Sequence, residues 1–389
     1  MKKIRCFLLF FILVLLFVLY STVSAEVEAI DMAKKCIVKA SNGNTYVQRM
    51  FNTDFDRYWP CTEGDSLTVQ TPKECPAQGF MFSFLGSAPQ LTVTTGGQII
   101  AEYTDIFESS YIPFPEPVTS FTVTIGKGTE KICFNRLCIL SEGKLPRWVQ
   151  CWKHLDEPAD LMLVVTHPDD ELLWFGGLLP TYAGEYQKKV QVVYMVGNTP
   201  QRRNELLAGL WTCGVRYYPE IGSFPDRCGS SIKSCLSLWG EDAPKQYIVA
   251  MIRKHRPAVV VTQDIYGEYG HAHHCVTVQA TIDAVIELAG NAAWDTESVQ
   301  LYGIWQPHKL YLHLWESGQI IFDWRQPLSA FDGETSLSVA KRAFKQHVSQ
   351  QTGKYHVTDS GKLDSRLIGL YWSDIGPDEA MNDLMEHIN

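Results

Sequence analysis

Leu161-Met162-Leu163-Val164-Val165-Thr166-His167-Pro168-Asp169-Asp170-Glu171 joins two kinds of sequence. The first half is an apolar run with no polar alternation, the pattern of a strand covered on both faces. The second half turns at Pro168 and sets three carboxylates where Leu172, Leu173 and Phe175 continue as a helix. A helix N-terminus stabilises a carboxylate through its dipole and free N–H groups, so one of these acids can be a simple cap. A cap does not account for His167, Asp169, Asp170 and Glu171 packed into five residues.

Working outward, the same buried-strand pattern recurs at 190–196 and 258–262, and Lys309 to Trp315 reads as one more strand. Helical stretches, Arg202 to Cys213 and Lys245 to His255, lie between. Strand, helix, strand implies α/β: a Rossmann-like, mostly parallel sheet with helices on both faces, over residues 155–389. Ligands in such sheets sit at the carboxyl ends of the strands.

Upstream, residues 26–150 change character. Short β-branched and aromatic runs at 80–85, 90–95 and 120–125 are separated by Gly96-Gly97, Gly126 and Gly128. This predicts a β-sandwich accessory domain, either a spacer or a carbohydrate-binding module. The first 25 residues read as a signal peptide: Lys2, Lys3 and Arg5, an apolar run from Phe7 to Tyr20, and small residues ending at Ala25. An uncleaved anchor is the alternative, but the run is short for a span of roughly 20 residues. The expected location is secreted or extracytoplasmic. Eleven cysteines suit an oxidising compartment. With Cys6 in the signal, ten remain, and Cys61/Cys75, Cys133/Cys138 and Cys228/Cys235 are spaced for local bridges. Cys275 is expected as a buried free thiol. The net charge of −9 argues against nucleic acid or an anionic membrane surface as partner.

A second polar cluster follows the 258–262 run: Thr262-Gln263-Asp264-Ile265-Tyr266-Gly267-Glu268-Tyr269-Gly270-His271-Ala272-His273-His274. Three histidines fall within four residues, at the same end of the sheet as His167. One histidine is more often structural; three beside a His/Asp cluster point to a metal. Imidazole and carboxylate donors without thiolate suit zinc, although iron or cobalt also fit.

Together the two clusters resemble the signature of the PIG-L/LmbE-type N-acetylglucosaminyl deacetylases, A-H-P-D-D-E followed by G-H-x-x-H. Here they read T-H-P-D-D-E at 166–171 and Y-G-H-A-H-H at 269–274. The similarity spans roughly residues 158–350, leaving the N-terminal domain outside. The resemblance implies a Zn2+ held by His167, Asp170 and His274, with Asp169 as general base. It makes His271 the residue that steadies the tetrahedral intermediate, helped by Tyr269. Arg202, in Arg202-Arg203-Asn204-Glu205, becomes a candidate substrate clamp, with a solvated helix end as the plain alternative. Asp226 becomes a candidate for a sugar hydroxyl. His347-Val348-Ser349-Gln350 resembles a late family pattern with a structural role. In one departure, His273 stands where many relatives carry the Asp that buttresses His271; Asp264 or Glu268 is the candidate replacement. The implied reaction is removal of an N-acetyl group from an amino sugar of an extracellular glycan or glycoside. The alternatives are a secreted glycan-binding protein with a decayed site, and a metal-dependent hydrolase of another amide.

Overall fold

The computed structural model describes residues 27–51, 58–85, 89–104, 106–129, 131–197, 199–227 and 231–388. The signal-like segment 1–25, Cys6 and Cys228 lie outside the described residues.

Among the described residues, nine strands come first: β1 (Ile37–Ala40), β2 (Trp59–Cys61), β3 (Ser66–Gln70), β4 (Ala77–Leu85), β5 (Leu91–Thr95), β6 (Gln98–Tyr103), β7 (Ser109–Val118), β8 (Ser120–Ile125) and β9 (Ile132–Ser141). They form two antiparallel sheets, ordered β1-β3-β8-β5-β6 and β2-β9-β4-β7. Alternation decides which side each residue takes: in β8, Phe121, Val123 and Ile125 are buried while Thr122 and Thr124 face outward. The inward residues of both sheets share one apolar core. Phe80 of β4 stacks on Phe121 of β8 at 5.6 Å and 15°, joining the two sheets.

The expected local disulfides do not form at Cys61/Cys75 or Cys133/Cys138; all four are free thiols. Cys133 and Cys138 share the extended strand β9. Five residues of strand span about 16 Å, far beyond the Cα separation of about 5.5 Å that a disulfide needs. Cys275 is free but half-buried rather than buried.

The second part holds a seven-stranded sheet: β10 (Leu161–Val165), β11 (Val190–Val196), β12 (Glu220–Phe224), β13 (Val259–Thr262), β14 (Lys309–His313), β15 (Gln319–Ile321) and β16 (Leu367–Ser373). The order is β12-β11-β10-β13-β14-β16-β15. Neighbours from β12 to β14 are parallel, and β16 runs antiparallel to both β14 and β15. The sheet is therefore mixed, with a parallel centre. Strand β16 lacks an unbroken apolar run because Gly369 sits where a Cβ would meet the Trp315 carbonyl oxygen at 2.0 Å.

Both faces of the sheet are covered, which is why its central strands carry no alternation. Leu161, Leu163 and Val165 pack on one side with Leu206, Leu207 and Leu210; Met162 and Val164 pack on the other with Ile248, Val249 and Ile252. The chain moves from β10 outward through β11 and β12, then returns to place β13 on the other side of β10. The gap between the carboxyl ends of β10 and β13 is thus a topological switch point, where crevices form. Both polar clusters emerge there.

Candidate active site and metal centre

The β10 loop is wound tightly. Asp169 has φ 116° and ψ −25°, a left-handed backbone that a residue with a Cβ adopts only under constraint. The constraint is visible: the Asp169 N–H donates to Glu171 Oε2 at 2.8 Å, and Glu171 Oε1 lies 3.1 Å from His347 Nε2. Helix α1 (Asp170–Leu173) is a single turn. Asp170 Oδ2 accepts the His167 N–H at 2.7 Å, and Oδ1 accepts the Trp174 indole N–H at 2.7 Å. Thr166 Oγ1 donates to Gln263 Oε1 at 2.7 Å, tying this loop to the one after β13.

That second loop needs its glycines. Gly267 and Gly270 have φ 69° and 87°, and a Cβ on Gly267 would meet Cys275 Sγ at 2.9 Å. Between them Glu268, itself at φ 56°, turns its carboxylate inward. Its Oε2 lies 2.6 Å from His274 Nδ1 and its Oε1 3.3 Å from His313 Nδ1. Glu268 therefore supports His274, not His271. His271 caps α2 (Ala272–Asp283), its Nδ1 accepting the His273 N–H at 3.3 Å. An imidazole that accepts at Nδ1 carries its proton at Nε2 when neutral, so it presents a donor.

These loops bring three donor atoms together. His167 Nδ1 is 3.3 Å from Asp170 Oδ2 and 3.2 Å from His274 Nε2; His274 Nε2 is 3.3 Å from Asp170 Oδ2. Donors about 2.0 Å from a tetrahedral cation stand about 3.3 Å apart. The donor set, its spacing and its burial fit zinc. Glu268 behind His274 supplies the carboxylate that commonly orients a ligating imidazole.

The other sequence candidates lie around this triangle. Asp169 Oδ1 is 3.3 Å from Arg202 Nη2, and Arg202 also donates to the Pro168 carbonyl. Burial, and then Asp170 beside it, raises the Asp169 carboxyl to about 7 despite the Arg202 guanidinium. Burial followed by the neighbouring His274 and His167 pushes His271 down to about 4. Asp226 Oδ1 is 3.4 Å from His167 Nε2, and Oδ2 is 3.9 Å from Arg202 Nη1. A cleft lined by Thr199, Arg202, Arg203, Phe224, Asp226 and Leu238 opens beside it. Tyr269 is 44% exposed, with its ring 5.7 Å from that of His271 and stacked on Tyr355 at 4.7 Å.

Residues 162–285 match the family described as "PIG-L: GlcNAc-PI de-N-acetylase". Over this stretch, about a third of its length, the chain is similar to the PIG-L family. Among curated relatives, the chain is 28% identical over 181 residues to a 1D-myo-inositol 2-acetamido-2-deoxy-alpha-D-glucopyranoside deacetylase of Nocardioides sp., covering 36% of this chain and 60% of that protein. It is 28% identical over 243 residues to the same-named protein of Rhodococcus opacus, covering 49% of this chain and 82% of the relative. A solved structure of N,N'-diacetylchitobiose deacetylase from Pyrococcus horikoshii aligns at 18% identity and TM-score 0.37, over 49% of this chain and 71% of that one.

The PIG-L match spans the triangle, Asp169, Arg202, Asp226, Tyr269 and His271. Two buried histidines of the site fall beyond it, His313 against Glu268 and His347 against Glu171. In sequence, His347 resembles a structural position of the family and His313 falls inside a strand, so neither stands out as a site residue. The role of Glu268 was open to reading, since it lies within the second cluster; its partner was not.

Proposed function

We propose that this protein is an exported, zinc-dependent amidohydrolase that removes the N-acetyl group from an amino sugar of an extracellular glycan or glycoside. The observation that carries the reading is the His167/Asp170/His274 triangle at tetrahedral-ligand spacing, with the Asp169 carboxylate beside it. The names of the curated relatives, deacetylases of an acetamido-deoxy-glucopyranoside, support an acetamido sugar as substrate. Export rests on the basic start, apolar run and small residues of the first 25 positions. The two antiparallel sheets are read as a β-sandwich accessory domain of residues 26–150.

Zinc, when bound at the triangle, supplies Lewis acidity to the acetyl carbonyl and to the attacking water. Asp169 takes the water proton and delivers it to the departing amine, so that amide and water become acetate and free amine. Burial raises the Asp169 carboxyl and so favours its holding the proton between the two transfers. His271, neutral with its proton at Nε2, donates to the developing oxyanion, and Tyr269 is read as a second donor. Arg202 holds Asp169 and, with Asp226, lines the cleft where the sugar ring would lie.

The test is acetate release from N-acetylglucosamine oligomers by the zinc-loaded protein. Asp169→Asn is expected to lower kcat about 10²- to 10⁴-fold with zinc retained. The acid limb of the rate profile is expected at or below about 7, because a cation at the triangle favours ionised Asp169. Full activity in Asp169→Asn would sink the mechanism.

A further inference from the structure

His167 and His274 are supported differently, and the difference centres on His273. His274 turns Nδ1 to the Glu268 carboxylate at 2.6 Å. His167 turns Nε2 to His273 Nδ1, 2.9 Å away. His273 is buried, and its ring is held against Trp239 with centroids 4.8 Å apart and planes at 29°. The stack leaves the His273 ring little freedom to swing away.

A tautomer argument gives this bond its direction. His167 joins the triangle through Nδ1, so as a ligand it must carry its proton on Nε2. That N–H points at His273 Nδ1, which accepts with its lone pair. The reverse arrangement would put the His167 proton on Nδ1, where the cation belongs. His273 then carries its own proton on Nε2, a buried nitrogen without a partner among the described residues. Asp226 Oδ1 is the other acceptor within reach of His167, at 3.4 Å and on a side chain 39% exposed.

We infer that His273 is the positioning residue that sets the tautomer and ring angle of His167 as a metal ligand. The inference rests on the zinc reading above and adds a consequence. A neutral imidazole acceptor raises the basicity of its partner less than a carboxylate does. This chain therefore holds its cation less tightly than it would with an anionic acceptor at position 273.

The experiment measures zinc affinity of the full chain by competition with a chromophoric chelator, alongside the absorption of the cobalt(II)-substituted protein. His273→Ala and His273→Leu are expected to weaken zinc binding about 10- to 100-fold and to change the cobalt spectrum. His273→Asp is expected to restore wild-type affinity or exceed it. Thermal unfolding of the metal-free variants identifies any that fail to fold; Leu, which keeps the volume, replaces Ala if Ala does. Affinity within about threefold of wild type in both apolar variants, with the loss appearing instead in Asp226→Asn, would overturn the inference. A wild-type chain that binds no zinc would overturn the metal reading itself, a separate and recognisable result.

Discussion

The two-sheet unit and the carboxyl end of the parallel sheet are equally buried, yet they bury opposite things. In the first, Phe80, Phe82, Phe84, Phe121 and Phe134 interlock, with Phe82 edge-on to Phe134 at 5.2 Å. In the second, His167, Asp169, Asp170, Glu171, His273 and His274 are all buried. Apolar burial stabilises by about 25 cal/mol per Å² and asks for no particular partner. Buried charge costs free energy unless it meets a partner, so the second region is dense in bonds between named groups, with His273 Nε2 and His347 Nδ1 left over among the described residues. It also holds two non-glycine residues in left-handed backbone, Asp169 and Glu268. The described strands of the two-sheet unit hold no such residue.

That contrast can be broken from either side. The largest stability effect is expected from Phe82→Ala, about 3–5 kcal/mol in denaturant unfolding of the two-sheet unit. Zinc affinity is expected to stay unchanged, and a parallel fall would show that the two regions are one cooperative unit. Next comes Glu268→Gln, which removes the charge behind His274. Zinc binding is expected to weaken about tenfold or more, some 1.4 kcal/mol, with little change in unfolding of the aromatic core. An unaltered zinc affinity would remove Glu268 from the metal centre.

The smallest effect concerns a charge cluster outside both regions. Glu220 on β12 lies 2.6 Å from Lys254 Nζ and 2.8 Å from His255 Nε2. Burial raises its carboxyl, but the bonds from His255 and Lys254 hold it down at about 2. Because the folded value is depressed, its contribution is full above the ordinary carboxylate value of about 4.3 and is lost as pH falls toward 2. Glu220→Gln is expected to cost about 1 kcal/mol at pH 7 and progressively less below pH 4, read from urea unfolding at each pH. An equal cost at pH 3 and pH 7 would show that packing, not charge, holds this cluster.

Much of the site was open to reading because its residues are contiguous. His167 to Glu171 and Gly267 to His274 each follow an apolar run, and a strand buried on both faces advertises itself. The central strands β10, β11 and β13 were legible within a residue or so for that reason. Strands β12, β15 and β16 were not. They lie toward the sheet's edges, and Gly369 interrupts the apolar pattern to let Trp315 approach. Local cysteine spacing misled in turn, since proximity along β9 is distance in space.

What the sequence by itself determined is the chemistry on offer: an α/β core, two polar strand ends, and histidine and carboxylate donors without thiolate. Those follow from local pattern and composition, which need no partner to be read. The tertiary structure decided who meets whom. It set Glu268 behind His274 rather than His271, closed Glu171 onto His347, and put His273 against His167. Each of these pairs joins separate turns or elements, and a bond's partner is fixed by chain crossing in space. The order in which β10 and β13 lie side by side makes those crossings, and no single stretch of sequence contains it.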